Sequence, residues 1–481
     1  MTCLKKYLKK EISWSILTFI LLVFIHIPIL SKHLLTADII LNNATYRGYS
    51  WELSLGRFGL YIFGILKGFK TIPMIEYLIS CLLISATIFL WNRIFSIKSS
   101  FIKSILVLLV VVSPMISASL LFYYCSTPYM FSLFCSVYAL YAFVFYKKKV
   151  LKYALPMILI MFSLSIYQAY LSVIGSIFIF YLLDKLLKNK PIKKELSYLF
   201  LIGGGVALYY LMMKLSLIVF HIPMSHYQNA NKIGLSAILK LKDNFFLTYQ
   251  VFYQYFFTDK VLKNSFFHNQ YLYIGLFFLW IIEVLFQIKK NKVENKRILL
   301  IALLILFLPC FLNMVTFVIS DSKLQLLMSL SYLIFFLFIG TTTNQKIGKM
   351  VLLLFTIILS VHYLIEDQAS YLSIEKTNTA YQNMIQSMGL EKDKQYIVIG
   401  NMENRGKIYQ MNYGFVADEG LFWEEYHLRK LGFERYTEQI FHKKLSFASE
   451  EKYRRYQKND SKEVIREEEG IIILDLRQIK N

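Results

Sequence analysis

SWSILTFILLVFIHIPILS, residues 13–31, contains no Asp, Glu, Lys or Arg. TADIILNNATYRGYSWELSLGRFG, residues 36–59, follows it almost at once. As helix, the first stretch is long enough to cross a hydrocarbon core of about 30 Å. The second is the first polar segment beyond it. Four lysines precede the apolar run, in MTCLKKYLKKEI. A signal peptide also begins basic, but this run exceeds an h-region and no small-residue cleavage site follows. The reading is a retained first helix with its N-terminus in the cytoplasm.

Ten more apolar runs follow, at 74–92, 104–124, 128–146, 153–167, 169–187, 197–220, 271–288, 298–320, 325–342 and 348–365. Together they raise the hydrophobic fraction to 56% and leave only 17% of residues charged, against about 45–50% and about 25% in soluble domains. The fold class expected is therefore an α-helical polytopic membrane protein with about 11 transmembrane helices. Residues 58–70, FGLYIFGILKGFK, are apolar but short, and read as a helix lying in the membrane interface. The fifth and sixth helices meet at SIYQAY (165–170) with almost no loop.

Charge placement orients the helices. The loops assigned to the inner side hold 23 Lys and Arg, whereas the longer outer loops 32–72, 222–270 and 321–323 hold 11. The positive-inside rule then puts the N-terminus in and the C-terminus out. The same placement explains the net charge of +22 without nucleic acid, because the cations cluster between apolar runs. The five cysteines show neither a metal-ligand spacing nor a disulfide framework.

The chain divides into a multi-spanning part, 1–366, and a C-terminal extracytoplasmic domain, 367–481. In the latter, charge is dense, YIVIG (396–400) and IIILDL (471–476) read as buried strands, and 368–389 and 421–431 read as helices. A small α/β or α+β domain is expected. Loop 222–270 is rich in aromatics and reads in its middle as an interfacial helix.

Ionisable groups within spans are costly and mark function. Lys214 lies in the outer half of the seventh span, either snorkelling to the interface or contacting a phosphate. Glu283 is expected to pair or to tune packing, and Asp184 to be solvated near the inner boundary. Near the outer face the acids are Asp38, Glu52, Glu76, Asp243, Asp259 and Asp321. An outer-leaflet enzyme that takes sugar from a lipid phosphate needs a carboxylate to accept the acceptor's proton. It also needs a cation for the departing phosphate, a task that suits arginine. Asp38, with Arg57 close by in sequence, fits those needs; an ordinary loop acid is the plainer reading. Tyr167 and Gln168 sit at the turn between two spans, either meeting a sugar or serving as an interfacial aromatic with a capping amide.

The acidic loop after the first span, GRFGL at 56–60, SPMIS at 113–117 and SLSIYQAYLSV at 163–173, in this order, resemble the Gtr type-II family of bacterial membrane glucosyltransferases. YIVIG and EEGIIILDLR are similar to that family's C-terminal region. The resemblance implies a GT-C-like enzyme of the bacterial plasma membrane. It would move a hexose, in this family glucose, from a polyprenyl-phosphate donor to O-antigen or another surface polysaccharide or glycolipid on the outer face. By position it implies Asp38 as the first-loop acid, Gly56 and Arg57 as the Gly-Arg pair, and Tyr167 and Gln168 as the Tyr-Gln pair. The family often has paired acids where this chain has Ala37-Asp38, so Glu52 is assigned as a helper and Lys214 as a further substrate contact. The partners implied are the lipid-linked donor, the glycan acceptor and the bilayer, with no nucleic acid. No cofactor is assigned, and a divalent cation stays an open alternative. A polysaccharide polymerase or lipid-linked-sugar flippase is the alternative function, and a membrane-anchored sensor or assembly protein a third.

Overall fold

In a computed structural model, the described residues are 2–31, 49–225, 241–258, 267–317, 326–391, 393–400, 426–459 and 462–478. Within these residues each of the eleven apolar runs is mainly helical. The helices are α1 (Thr2–Ser31), α2 (Tyr49–Ser54), α3 (Phe58–Leu66), α4 (Pro73–Ile94), α5 (Ser100–Val111), α6 (Pro114–Leu121), α7 (Tyr123–Phe145) and α8 (Lys149–Ile166). There follow α9 (Tyr170–Leu187), α10 (Ser197–Val219), α11 (Leu241–Phe257), α12 (Gln270–Lys290), α13 (Asn295–Leu306), α14 (Leu308–Leu312), α15 (Leu330–Thr342) and α16 (Lys346–Ser387).

Among the described residues, eight helices are long and apolar enough to cross a membrane, or nine if the bent pair α5 and α6 counts as one span. The chain is a multi-pass membrane protein. The lower count has local causes. The run at 298–320 is cut at Phe307–Leu308, ahead of Pro309, into α13 and the five-residue α14. In the run at 325–342, α15 has only 13 residues, about 20 Å at 1.5 Å per residue.

The run read as one span at 104–124 is also broken, by a bend of 43°. Pro114 is the cause. It has no N–H and forces the preceding residue out of helical geometry, and Ser113 is indeed extended at φ −66°, ψ 126°. The break exposes carbonyls that lipid cannot satisfy. His26 of α1 donates from Nε2 to the Val111 carbonyl at 2.7 Å, and its Nδ1 faces the Tyr371 hydroxyl at 3.3 Å.

Helix α9 is the most enclosed of the spanning helices. Phe180 stacks on Phe338 at 4.5 Å and on Phe335 at 5.6 Å, and Trp280 meets Phe335 edge-on at 5.0 Å. Polar atoms knit the other end: the Ser172 hydroxyl accepts from the Val315 N–H at 2.9 Å.

The C-terminal region holds a four-stranded sheet of order β2-β1-β4-β3, from β1 (Gln395–Ile399), β2 (Ser446–Phe447), β3 (Ile465–Glu468) and β4 (Ile471–Asp475). β1 is parallel to β2 and β4, and β3 is antiparallel to β4. Tyr396–Ile399 and Ile471–Leu474 are buried, as expected of continuous apolar strands. Helices α17 (Tyr426–Phe441) and α18 (Glu450–Gln457) accompany the sheet. The helix expected at 368–389 does not start afresh, because α16 runs unbroken for 42 residues through position 367.

Lys103 of α5 and Glu11 of α1 form a buried ion pair. Removing one partner strands the other charge, whereas an apolar pair does not. Lys103→Ala should destabilise the detergent-solubilised protein by about 3–5 kcal/mol, and Glu11→Leu with Lys103→Met should recover most of that loss. Chemical unfolding of the three proteins side by side tests this.

Candidate active site

The loop residues Glu52, Gly56 and Arg57 are set by a helix end. Helix α2 stops at Ser54, and Gly56 takes the left-handed conformation at φ +75°. The Gly56 N–H bonds the Leu53 carbonyl at 2.9 Å and the Arg57 N–H bonds the Glu52 carbonyl at 2.8 Å. This is the Schellman pattern, which glycine adopts without a Cβ penalty. A Cβ at Gly56 would also come within 2.7 Å of Met213 Sδ and 2.8 Å of the Tyr209 hydroxyl. The turn thus presses on α10 and delivers Arg57 as the cap of α3.

The guanidinium of Arg57 lies over the Tyr167 ring, 4.7 Å from its centroid. Tyr167 terminates α8 in extended conformation, φ −157°, ψ 118°. Tyr129 stacks on its ring at 5.2 Å and Tyr170 meets it edge-on at 6.3 Å. A cation over a desolvated ring gains about 2 kcal/mol and stays planar and directed. Gln168 follows, and its Nε2 donates to the Leu55 carbonyl at 2.7 Å and to the Tyr209 hydroxyl at 2.9 Å. Tyr209 in turn donates to Met213 Sδ at 3.6 Å and stacks on Phe58 at 6.2 Å. At Gly59 a Cβ would meet Ser165 Oγ at 2.5 Å and the Ser165 backbone carbon at 3.0 Å, so α3 rests directly on α8. Glu52 is buried, on the same short helix whose end carries Arg57.

The structure therefore brings Gly56, Arg57, Tyr167 and Gln168 into contact, with Glu52 one turn before Arg57. Asp38, Asp259 and Asp321 lie outside the described residues. Lys214 is not in this cluster. It is exposed, with Nζ 5.5 Å from the Tyr210 ring centroid, while Tyr209 and Met213 on the neighbouring face meet Gly56. Glu283 accepts from the Asn344 N–H at 3.0 Å, a packing role. Asp184 is buried, not solvated, and pairs with Lys188 at 2.6 Å one helical turn away. Glu76 pairs with Lys67. Asp243 is exposed in the first turn of α11. Among the described residues no three His, Cys, Asp or Glu cluster as metal ligands would.

Two sets of residues escape sequence reading. Tyr209 and Met213 sit within an unbroken apolar run, where nothing distinguishes them from lipid-facing neighbours. Glu366 and Asp367 are both buried in α16, and Asp367 Oδ2 accepts from the Ser117 hydroxyl at 2.6 Å. The signal was present: adjacent acids end an apolar run, and Ser117 closes SPMIS.

A bundle of membrane-length helices that collects an arginine, two tyrosines and a glutamine at the junction of a short-helix turn and the ends of longer helices defines a multi-pass membrane protein with a polar site. A family model, glucosyl transferase GtrII, matches residues 28–342, well over half of the chain, and the protein belongs to that family. It is accordingly an enzyme of the glycosyltransferase class. The matched residues include Glu52, Gly56, Arg57, Tyr167, Gln168 and Tyr209 and stop short of the C-terminal strands. No curated protein and no solved structure matches the chain.

Tyr209→Phe removes one hydrogen-bonding oxygen and no volume. It should lower kcat/KM for glucosyl transfer about fivefold, the equivalent of about 1 kcal/mol, with unchanged expression. Arg57→Lys keeps the charge but loses the planar fork, and steady-state kinetics should show it more damaging than Tyr209→Phe.

Proposed function

We propose that the protein transfers glucose from a polyprenyl-phosphate donor to a cell-surface polysaccharide or glycolipid on the outer face of the bacterial plasma membrane, with a GT-C-like architecture. The observation that carries this reading is the convergence of Arg57, Tyr167 and Gln168 on one buried turn. A directed guanidinium suits a phosphate leaving group, because it can form two parallel hydrogen bonds to phosphate oxygens.

In the proposed reaction a carboxylate accepts the proton of the acceptor hydroxyl. That oxygen bonds to C1 of the sugar as the C1–O bond to phosphate breaks, and the lipid phosphate departs with the bonding electrons beside Arg57. Asp38 is the proposed base and Glu52 its helper. Tyr167 and Gln168 are proposed to orient the donor sugar. Lys214, on the lipid-facing side of α10, is proposed to meet the lipid phosphate during entry rather than in the reacting complex. Residues 367–481 are proposed to form an outer domain, consistent with the N-in, C-out charge pattern.

The test is glycan composition of the envelope in cells carrying wild type, Asp38→Asn or Arg57→Ala at equal expression, combined with labelled donor in right-side-out and inverted vesicles. Loss of the glucosyl modification in both variants, with transfer to acceptor confined to the outer face, is the expected result. Full modification by Asp38→Asn would remove it as base. Movement of the labelled lipid across the bilayer without transfer would replace the enzyme with a flippase.

A further inference from the structure

Lys67 closes the C-terminal end of α3, and Glu76 lies in the first turn of α4. Their side chains form an ion pair at 2.9 Å. The ammonium also donates to the Tyr124 carbonyl at 2.8 Å and sits 4.4 Å from the Tyr124 ring centroid. An acid in a first turn, tied to a neighbouring lysine, would by itself be a pin between two helices.

Two facts go beyond a pin. Glu76 is 4% exposed, and its Oε2 is enclosed without a hydrogen-bond partner among the described residues. A buried carboxylate oxygen without a donor is rare and calls for a group that the described residues do not supply. The Lys67 side chain, by contrast, is 15% exposed, so the cluster reaches the surface on its cationic side.

The chemistry of the set selects the ligand. A carboxylate oxygen only accepts, so the missing partner is a donor. Glu76 already balances the Lys67 charge and would repel a phosphate, which argues against an anion site. A neutral hydroxyl group would satisfy Oε2, and the ammonium, seated on the buried Tyr124 ring, can donate to a second oxygen. A carboxylate oxygen that takes a donor beside an ammonium that gives one suits neighbouring hydroxyls of a polyhydroxylated ring.

Position separates this cluster from the first site. Arg57 and Lys67 stand at opposite ends of α3, about 15 Å apart along its axis. That exceeds the width of one hexose. Helix α7 backs both ends, with Tyr124 under Lys67 and Tyr129 under Tyr167. We propose that Lys67, Glu76 and Tyr124 form a subsite for a sugar residue of the acceptor glycan, remote from the sugar that is transferred. This rests on the reading of the chain as a glucosyltransferase with a lipid-phosphate donor.

The test uses the full-length protein in nanodiscs and two titrations. One ligand is polyprenyl-phosphate glucose. The other is the neutral oligosaccharide fraction released by mild acid from the envelope of the source organism. Glu76→Gln should weaken oligosaccharide binding about tenfold and leave donor affinity within about twofold, Lys67→Arg should retain oligosaccharide binding, and Arg57→Ala should show the opposite selectivity to Glu76→Gln. If Glu76→Gln fails to fold, Tyr124→Leu, which keeps the carbonyl that holds Lys67, carries the same expectation. Unchanged oligosaccharide binding by the folded variant overturns the subsite, as does equal loss of both ligands with a lowered unfolding temperature, the mark of a pin. Wild type that binds the donor but no oligosaccharide overturns it too. Wild type that binds the oligosaccharide but no donor defeats the lipid-phosphate reading instead, and leaves the subsite standing on its own titration.

Discussion

The left-handed turn at Gly56 is the constraint on which the site depends. It ends α2, satisfies two carbonyls of that helix and starts α3 two residues later, with Arg57 as its cap. Arg57 is therefore positioned by backbone, before any side-chain contact is made. Because Gly56 has no Cβ, the turn approaches Tyr209 and Met213 closely enough for α10 to support it. Gln168 then bonds both sides of the junction, the Leu55 carbonyl and the Tyr209 hydroxyl. Three segments far apart in sequence thus converge on the turn that carries Arg57, whose ring partner Tyr167 is itself held by two other tyrosines.

A second constraint is the solvent. Within a bilayer, buried charges and broken backbone need partners from the protein. The Pro114 break is answered by His26, Glu11 by Lys103, Glu283 by the Asn344 N–H, and Asp367 by the Ser117 hydroxyl. These links join α1 to α5, α12 to the turn before α16, and α6 to α16. Polar groups thus tie together helices whose apolar surfaces alone would pack with little selectivity, since lipid tails are as apolar as leucine.

Much of the framework was legible in residues alone. Within the described residues the eleven apolar runs fold as helix, two of them broken, the abrupt helix junction at SIYQAY is where α8 gives way to α9, and YIVIG and IIILDL carry buried strands. Hydrophobic length and periodicity are local properties, so local reading finds them. Reading missed what depends on partners. Ser446–Phe447 is too short to show a period, and Asp184 finds its burial only from neighbouring helices. The helix break at Pro114 was visible as a proline, but an apolar run on both sides masked it. The rise in charge at 367 suggested a boundary, yet α16 continues through it because no proline or glycine interrupts residues 349–388.

Sequence by itself determined that this is a multi-pass membrane protein, because apolar length meets bilayer thickness one helix at a time. With the family match it also determined the class of enzyme. Tertiary structure decided which polar residues act together. Gly56, Arg57, Tyr167 and Gln168 are brought into contact with Tyr209, while Lys214, one helical turn from Tyr210, is turned to the outer face of its helix. The physical reason is that a helix fixes the direction of each side chain, but only packing decides what stands opposite it.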